Sequence, residues 1–354
     1  MTVKRDRGPT LLDLPRGILR QVVSFAPSTC APVCKELYAV ALLERPSFCA
    51  ARGLELGIRS ELLLNSLFKC VNIRVLDVSG WERWNDRLLQ RLTRCYQMDQ
   101  FVRLRALLMR GCNDISNAAV SVLLTTLGAS LSYLDLNDCN RLGAACLPAG
   151  LTNLKVLCLG YQRRRGKLDG KDIVAHITGA EQPIAPNLEC LSLQHRVEAQ
   201  SLVGIERLAP TLKVLDLRGC SEIPPEDYRC CKALTGLEQL FVGTALTSEV
   251  LSEIASACKK LRILDISGSD LSPNCVELVC NNLKSLEKLK LTRCKGLNND
   301  GFQRLLSSLP KLSLLDVSHC WKLSDSLCNH MPQIASKGKI RLTKPFVLMP
   351  PQKT

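Results

Sequence analysis

From Ile73 onward the chain repeats one short pattern: an apolar residue, two variable ones, a second apolar residue, one variable, then a third apolar residue. The first copy is Ile73, Leu76 and Val78. The next are Leu104, Leu107 and Met109, then Leu131, Leu134 and Leu136, then Leu154, Leu157 and Leu159. Further copies start at Leu188, Leu212, Leu237, Leu261, Leu286 and Leu312, so ten lie in phase with spacings of 23 to 34 residues. The last positions of the pattern alternate, which predicts a short strand with one face buried. Between the strands the apolar spacing becomes helical. Residues 275–283 place Val276, Leu278, Val279 and Leu283 at helical spacing, and residues 301–309 do the same with Phe302, Leu305, Leu306 and Leu309. One strand and one helix cannot bury both of their apolar faces alone. Stacked copies can, which predicts an α/β solenoid with parallel strands lining the concave side and helices on the convex side.

The residue that follows the strand is cysteine in five copies: Cys112, Cys139, Cys220, Cys294 and Cys320. A small side chain with a weak donor suits a chain turning inward beneath its neighbours. Further cysteines, Cys258 and Cys280 among them, end the helical stretches. The pattern resembles the cysteine-containing class of leucine-rich repeats, over roughly three quarters of the chain, with Trp81 and Gln162 departing from it at the cysteine position. Most of the 19 cysteines are therefore expected to be reduced and buried. No Cys-x-x-Cys occurs, and His176, His195, His319 and His330 are scattered, so no metal site, RING-type module or cofactor is expected.

Ahead of the repeats lies a different stretch. Leu14 and Pro15 open an amphipathic helical pattern through Ile18, Leu19, Val22, Val23 and Phe25. After a break come Val33, Cys34, Leu37 and Tyr38, then a further helical stretch towards Phe48. On its own this is a helical cap for the first repeat, as solenoid ends require. Its wording also resembles the F-box, a three-helix motif that docks on the Skp-type adaptor of a cullin ubiquitin ligase. The spacing between Pro15 and Cys34 is shorter than usual in that family, and Tyr38 stands where tryptophan is common. The resemblance implies that Leu14, Pro15, Ile18, Leu19, Val22, Val23, Phe25, Val33, Leu37 and Tyr38 contact the adaptor. The order of parts is similar to that of F-box/leucine-rich-repeat proteins, in which the repeats hold a target protein. The expected organisation is an F-box-like motif over 11–50, a connecting or capping helix over 51–72, the solenoid over 73–343 and a basic tail over 344–354.

The variable positions of the strands should face the concave groove. Between the second and third apolar residues five copies carry aspartate: Asp77, Asp135, Asp216, Asp265 and Asp316. Two readings stand: a row of carboxylates for a basic target, or acids satisfying nearby backbone donors. Just beyond the strands are expected Arg110, Tyr133, Tyr161, His195, Arg218, Phe241, Arg293, His319 and Trp321, residue types that anchor interfaces in a chain with only 4% aromatics. The insertion at 163–167, Arg-Arg-Arg-Gly-Lys, reads equally as a grip for an acidic partner, an import signal or a solvated loop.

Charge changes this picture little. The net charge is +14, but 11 of those charges sit in residues 1–10, 162–171 and 337–354, which disfavours a nucleic-acid partner without removing it. The first residues have no secretory pattern, and no run reaches the ~18 apolar residues of a spanning helix, so a cytoplasmic or nuclear location is expected. No nucleophile elbow, phosphate-cradling loop or metalloprotease helix appears, so no catalytic residue is expected. Three classes remain: a ligase substrate receptor, a ligase-independent scaffold, and a nucleic-acid binder.

Overall fold

A computed structural model describes residues 47–50, 60–68, 73–99, 101–161, 173–179, 181–195, 202–324 and 341–343. The ten residues expected to contact the adaptor, Leu14 to Tyr38, lie outside these, as do the insertion at 163–167 and the tail at 344–354.

Twelve strands of three residues form one sheet in chain order, and every pairing is parallel. They are β1 (Ser47–Cys49), β2 (Val75–Asp77), β3 (Ala106–Leu108), β4 (Tyr133–Asp135), β5 (Val156–Cys158) and β6 (Cys190–Ser192). Then come β7 (Val214–Asp216), β8 (Gln239–Phe241), β9 (Ile263–Asp265), β10 (Lys288–Lys290), β11 (Leu314–Asp316) and β12 (Arg341–Thr343). The register never slips, because the second apolar residue of each copy sits opposite its counterpart: Leu76 on Leu107, Leu134 on Leu157, Leu240 on Leu264. A one-residue slip would turn this buried row into the groove. Full burial of each leucine contributes about 1.5–3 kcal/mol relative to exposure.

β2 to β11 are the ten strands expected. β1 corrects the sequence reading, which continued the helical N-terminal segment to residue 50. Ser47–Cys49 instead starts the sheet, with Phe48 opposite Leu76. β12 closes the described sheet beside β11.

The opposite side carries α1 (Ser60–Leu67), α2 (Asp86–Gln97), α3 (Asn117–Leu127), α4 (Ile173–Thr178), α5 (Ser248–Ala257), α6 (Pro273–Asn282) and α7 (Asn299–Ser308). Among the described residues, three copies show 3₁₀ turns in place of an α-helix, at Ala144–Cys146, Ile205–Leu208 and Pro225–Ala233. Nearby Pro148, Gly204 and the Pro224-Pro225 pair disfavour a continuous α-helix there. α6 and α7 begin two residues before the expected 275 and 301. Ser272 and Asn298 cap them, each accepting a backbone N–H three residues on. Asp86 also accepts the N–H of Ser116, Asn117 that of Gly143, Ser248 that of Ser272, and Asn299 that of Ser324. In these four copies a side chain thus satisfies an orphan donor at the start of the next copy.

The post-strand cysteines link neighbouring copies too, each donating to a backbone carbonyl of the copy before. Cys112 Sγ donates to Val78 O at 3.3 Å, Cys139 to Met109 O at 3.0 Å and Cys220 to Leu193 O at 3.1 Å. Cys294 and Cys320 repeat the bond to Ile266 O and Leu291 O. All five are buried. In the first copy Trp81 fills this place, buried and stacked on Trp84 at 5.9 Å between centroids. No helix among the described residues is long and apolar enough to cross a membrane.

Candidate protein-binding surface

Alternation along a strand turns the residues on either side of the buried leucine into the concave groove. One row runs through Tyr133, Val156, Cys190, Val214, Gln239, Ile263 and Lys288, and a second through Asp77, Asp135, Cys158, Asp216, Phe241, Asp265, Lys290 and Asp316. Tyr133 and Phe241 are therefore strand residues, not residues beyond the strands as the sequence reading placed them. Both face the groove because their repeats carry them at variable strand positions.

The second reading of the aspartates accounts for one oxygen of each. Asp77, Asp135, Asp216, Asp265 and Asp316 all accept, through Oδ1, the N–H two residues on, at 3.0, 2.9, 3.2, 3.3 and 3.1 Å. The carboxylate closes the turn that leaves the sheet. Burial pushes the Asp135 carboxyl up, against the pull of the Asn137 N–H.

At Asp216 the second oxygen is taken as well. Gln194 Nε2 donates to Oδ2 at 2.6 Å, and Arg218 grips both oxygens, Nε to Oδ1 at 3.0 Å and Nη2 to Oδ2 at 2.6 Å. The hydrogen bonds from Arg218 to Asp216 push the guanidinium pKa upward. Its Cζ lies 4.7 Å from the centre of the Phe241 ring. This fork and stack hold an exposed arginine in one orientation, which lowers the entropy lost when a partner binds it.

The other expected rim residues stand apart. Arg110 pairs with Asp138 at 2.9 Å. The Tyr161 hydroxyl donates to Leu142 O at 3.4 Å. Trp321 is 76% exposed. His195, Arg293 and His319 share a turn position whose backbone is left-handed, with φ of 55°, 60° and 60°, where other copies have Gly80, Gly111, Gly219 and Gly268. A non-glycine residue there is uncommon. Of the nine residues expected at the rim, the structure brings Arg218 and Phe241 into direct contact.

Sequence reasoning missed Cys158 and Cys190, which are half-buried in the groove beside Tyr133. The signal was there, since both occupy variable strand positions. Burial pushes Cys158 up to about 12, Cys190 to about 11 and the Tyr133 phenol to about 12, so all three are neutral donors at physiological pH. Among the described residues no three His, Cys, Asp or Glu side chains cluster as metal ligands.

The edge where the chain enters the strands has a different character. Lys155, Glu189, Lys213, Glu238, Arg262 and Glu287 stand at one position of six successive copies and alternate in sign. Lys155 and Lys213 lie 2.7 and 2.6 Å from Glu189, while Arg262 lies 3.6 Å from Glu238 and 2.9 Å from Glu287. Hydrogen bonds from Lys155 and Lys213 hold Glu189 down at about 2. From Lys155 to Glu287 this edge is neutralised internally, whereas the groove and its far rim carry Arg218, Phe241, Arg293 and Trp321.

No family model matches the chain. It is 28% identical over 211 residues to F-box/LRR-repeat protein 4 of Bos taurus, across 55% of this chain and 33% of that protein. It is 26% identical over 254 residues to F-box/LRR-repeat protein 17 of Arabidopsis thaliana, across 70% of this chain and 37% of that one. The chain thus spans about a third of the length of these curated relatives. A chain in the crystal structure of the Rad7 and Elc1 complex in yeast has the same fold, with a TM-score of 0.56 at 12% identity, covering 94% of this chain and 89% of that one.

Proposed function

We propose that this chain, whose curated relatives are F-box/LRR-repeat proteins, is the substrate-recognition subunit of a Skp–cullin–F-box type ubiquitin ligase. It is a non-catalytic adaptor of the cytoplasm or nucleus. The N-terminal motif holds the Skp-type adaptor and the groove holds the target protein. The observation that carries this reading is the Arg218–Phe241 pair, held rigid in the middle of a twelve-strand face. Arginine and aromatic side chains fixed at the centre of a surface are the usual anchors of a protein interface.

The test is co-purification of the full chain with a Skp-type adaptor and a cullin. An Ile18→Asp/Val22→Asp variant should lose both partners while keeping its circular dichroism, because two charges on an apolar docking face would be desolvated without partners. A wild-type chain that brings down neither partner, or a folded variant that brings down both, overturns the ligase reading.

A second reading has one observation in its favour. β1 falls within the last residues of the F-box-like stretch and is already part of the sheet. A plain helical cap leading into that strand would make the chain a ligase-independent scaffold. Deleting residues 1–46 would then lower the stability of the repeats without removing any adaptor.

A further inference from the structure

The charges of the groove are unevenly spread. Near its start Asp77 and Asp135 bring carboxylates, and the Arg110 charge beside them is bound to Asp138. On β10 and the turn after it stand Lys288, Lys290 and Arg293. Lys288 and Arg293 are exposed, and neither has an ion pair among the described residues. Lys290 lies 3.8 Å from Asp265, whose Oδ1 is already engaged by the N–H and hydroxyl of Ser267. Asp316 on the next strand is held in the same way by Ser318. Each of these acids has Oδ1 engaged by its own turn, Lys290 shares the second oxygen of Asp265, and Lys288 and Arg293 retain capacity for an outside carboxylate. On the other side of β10, the adjacent strand β9 and the one beyond it, β8, offer Ile263 and Phe241, half-buried and facing the groove.

We infer that the groove captures a short acidic segment of protein, with its carboxylates over Lys288, Lys290 and Arg293 and a large apolar side chain on Phe241 and Ile263. The inference rests on the reading of the groove as the target-binding face and is independent of how the N-terminal motif docks. Spacing makes the motif specific. Strands stand ~4.8 Å apart, so β8 and β10 are separated by about 10 Å, the span of about three extended residues. The target should therefore carry Asp or Glu about three positions from a large apolar residue. A nucleic-acid strand fits this face less well, because a phosphate at every nucleotide crossing the strands would meet Asp216, Asp265 and Asp316 in turn, whereas a peptide can set its few carboxylates over Lys288 and Arg293 alone.

The test is selection of a random dodecapeptide display library on the purified full chain. The enriched peptides should pair Asp or Glu with Leu, Ile, Met, Phe or Trp at the spacing above. A synthesised winner should bind a Lys288→Glu/Arg293→Glu variant at least about tenfold more weakly by fluorescence anisotropy, and more weakly as salt rises. A Lys260→Glu control on the opposite edge should bind as wild type. Lys288→Gln/Arg293→Gln repeats the test without charge reversal, should the first variant fold poorly.

Winners without acidic excess that still require Arg218 and Phe241 would sink this inference and leave the groove as the target site. Winners indifferent to Arg218 and Phe241, or no enrichment at all, would overturn both. Saturable binding of a short labelled RNA oligonucleotide that needs Lys288 and Arg293, with no acidic peptide selected, would replace the protein segment by nucleic acid.

Discussion

The imidazole of His195 lies so close against Gly219 that a Cβ on Gly219 would overlap its Cε1 and Nδ1 atoms. Both residues are left-handed, with φ of 55° and 76°, and they occupy the same turn position in successive copies. The ring leans on the next repeat where no side chain stands in its way.

Gly219→Ala should therefore cost more than the same change at Gly80, where φ is 66° and an added methyl group would meet nothing within 4 Å. Gly80→Ala should lose about 1–2 kcal/mol from the left-handed backbone alone. Gly219→Ala should lose that and displace His195. Urea unfolding of both variants measures the difference, and equal losses would mean that the ring moves aside freely.

Leu264→Ala should lower stability by about 2–5 kcal/mol, the range for a fully buried leucine that leaves a cavity. Because each repeat borrows its core from its neighbours, the loss should appear in a single shared transition. A change below ~0.5 kcal/mol by denaturant titration would contradict the register described above.

At Asp135 the acceptor role and the charge can be separated. Its carboxyl is pushed up by burial while Oδ1 holds the Asn137 N–H. Asp135→Asn keeps an acceptor and removes a desolvated charge, so stability at neutral pH should stay level or rise. Asp135→Ala strands the donor and should lose about 1 kcal/mol. Thermal melts of the two variants check the order, and similar losses would return the importance to the charge.

Alkali should destabilise the ladder of thiols. Burial pushes Cys112, Cys139 and Cys294 up to about 12, against about 8.5 for a free thiol. Between these values the unfolded chain releases protons that the folded chain retains, so folding stability falls as pH rises. It is fully present below the lower value and lost progressively through the higher one. Urea midpoints from pH 8 to 11 in reductant should decline, and less steeply in Cys139→Ala. A flat profile would contradict the burial of these groups.

Cys158 and Cys190 should react with a thiol probe ahead of the ladder cysteines, since they are half-buried in the groove while the ladder cysteines are fully buried. Their raised pKa values, about 12 and 11, still keep them slower than free cysteine near neutral pH. Mass spectrometry of a labelling time course resolves the order. Earlier labelling of Cys139 or Cys294 would reverse it.

The repeat period and the buried leucine row were legible because each copy states them again at the same spacing. β1 was not, because Arg45 stands where the first apolar residue of the pattern would be. The choice between α-helix and 3₁₀ turn was obscured by similar repeat lengths, and it follows from local Pro and Gly residues. The two readings of the aspartates needed coordinates, since only the distance from Oδ1 to the following N–H separates them. The stack of Arg218 on Phe241 was beyond any single repeat: the residues lie at different positions of adjacent copies, and the fork onto Asp216 decides where the guanidinium rests. Arg110 and Trp321 show the converse, since suitable residue types at a rim still took separate surroundings.

The alternating charges from Lys155 to Glu287 amount to a parity rule written along one edge of the sheet. Losing or gaining a single whole repeat within that stretch would preserve the leucine spine yet set lysine or arginine beside a cation, or glutamate beside glutamate, at the junction. Losing or gaining two would restore opposite neighbours. Repeat proteins shorten and lengthen by whole copies, and the leucines tolerate any number. Along this edge, even changes in repeat number are favoured over odd ones.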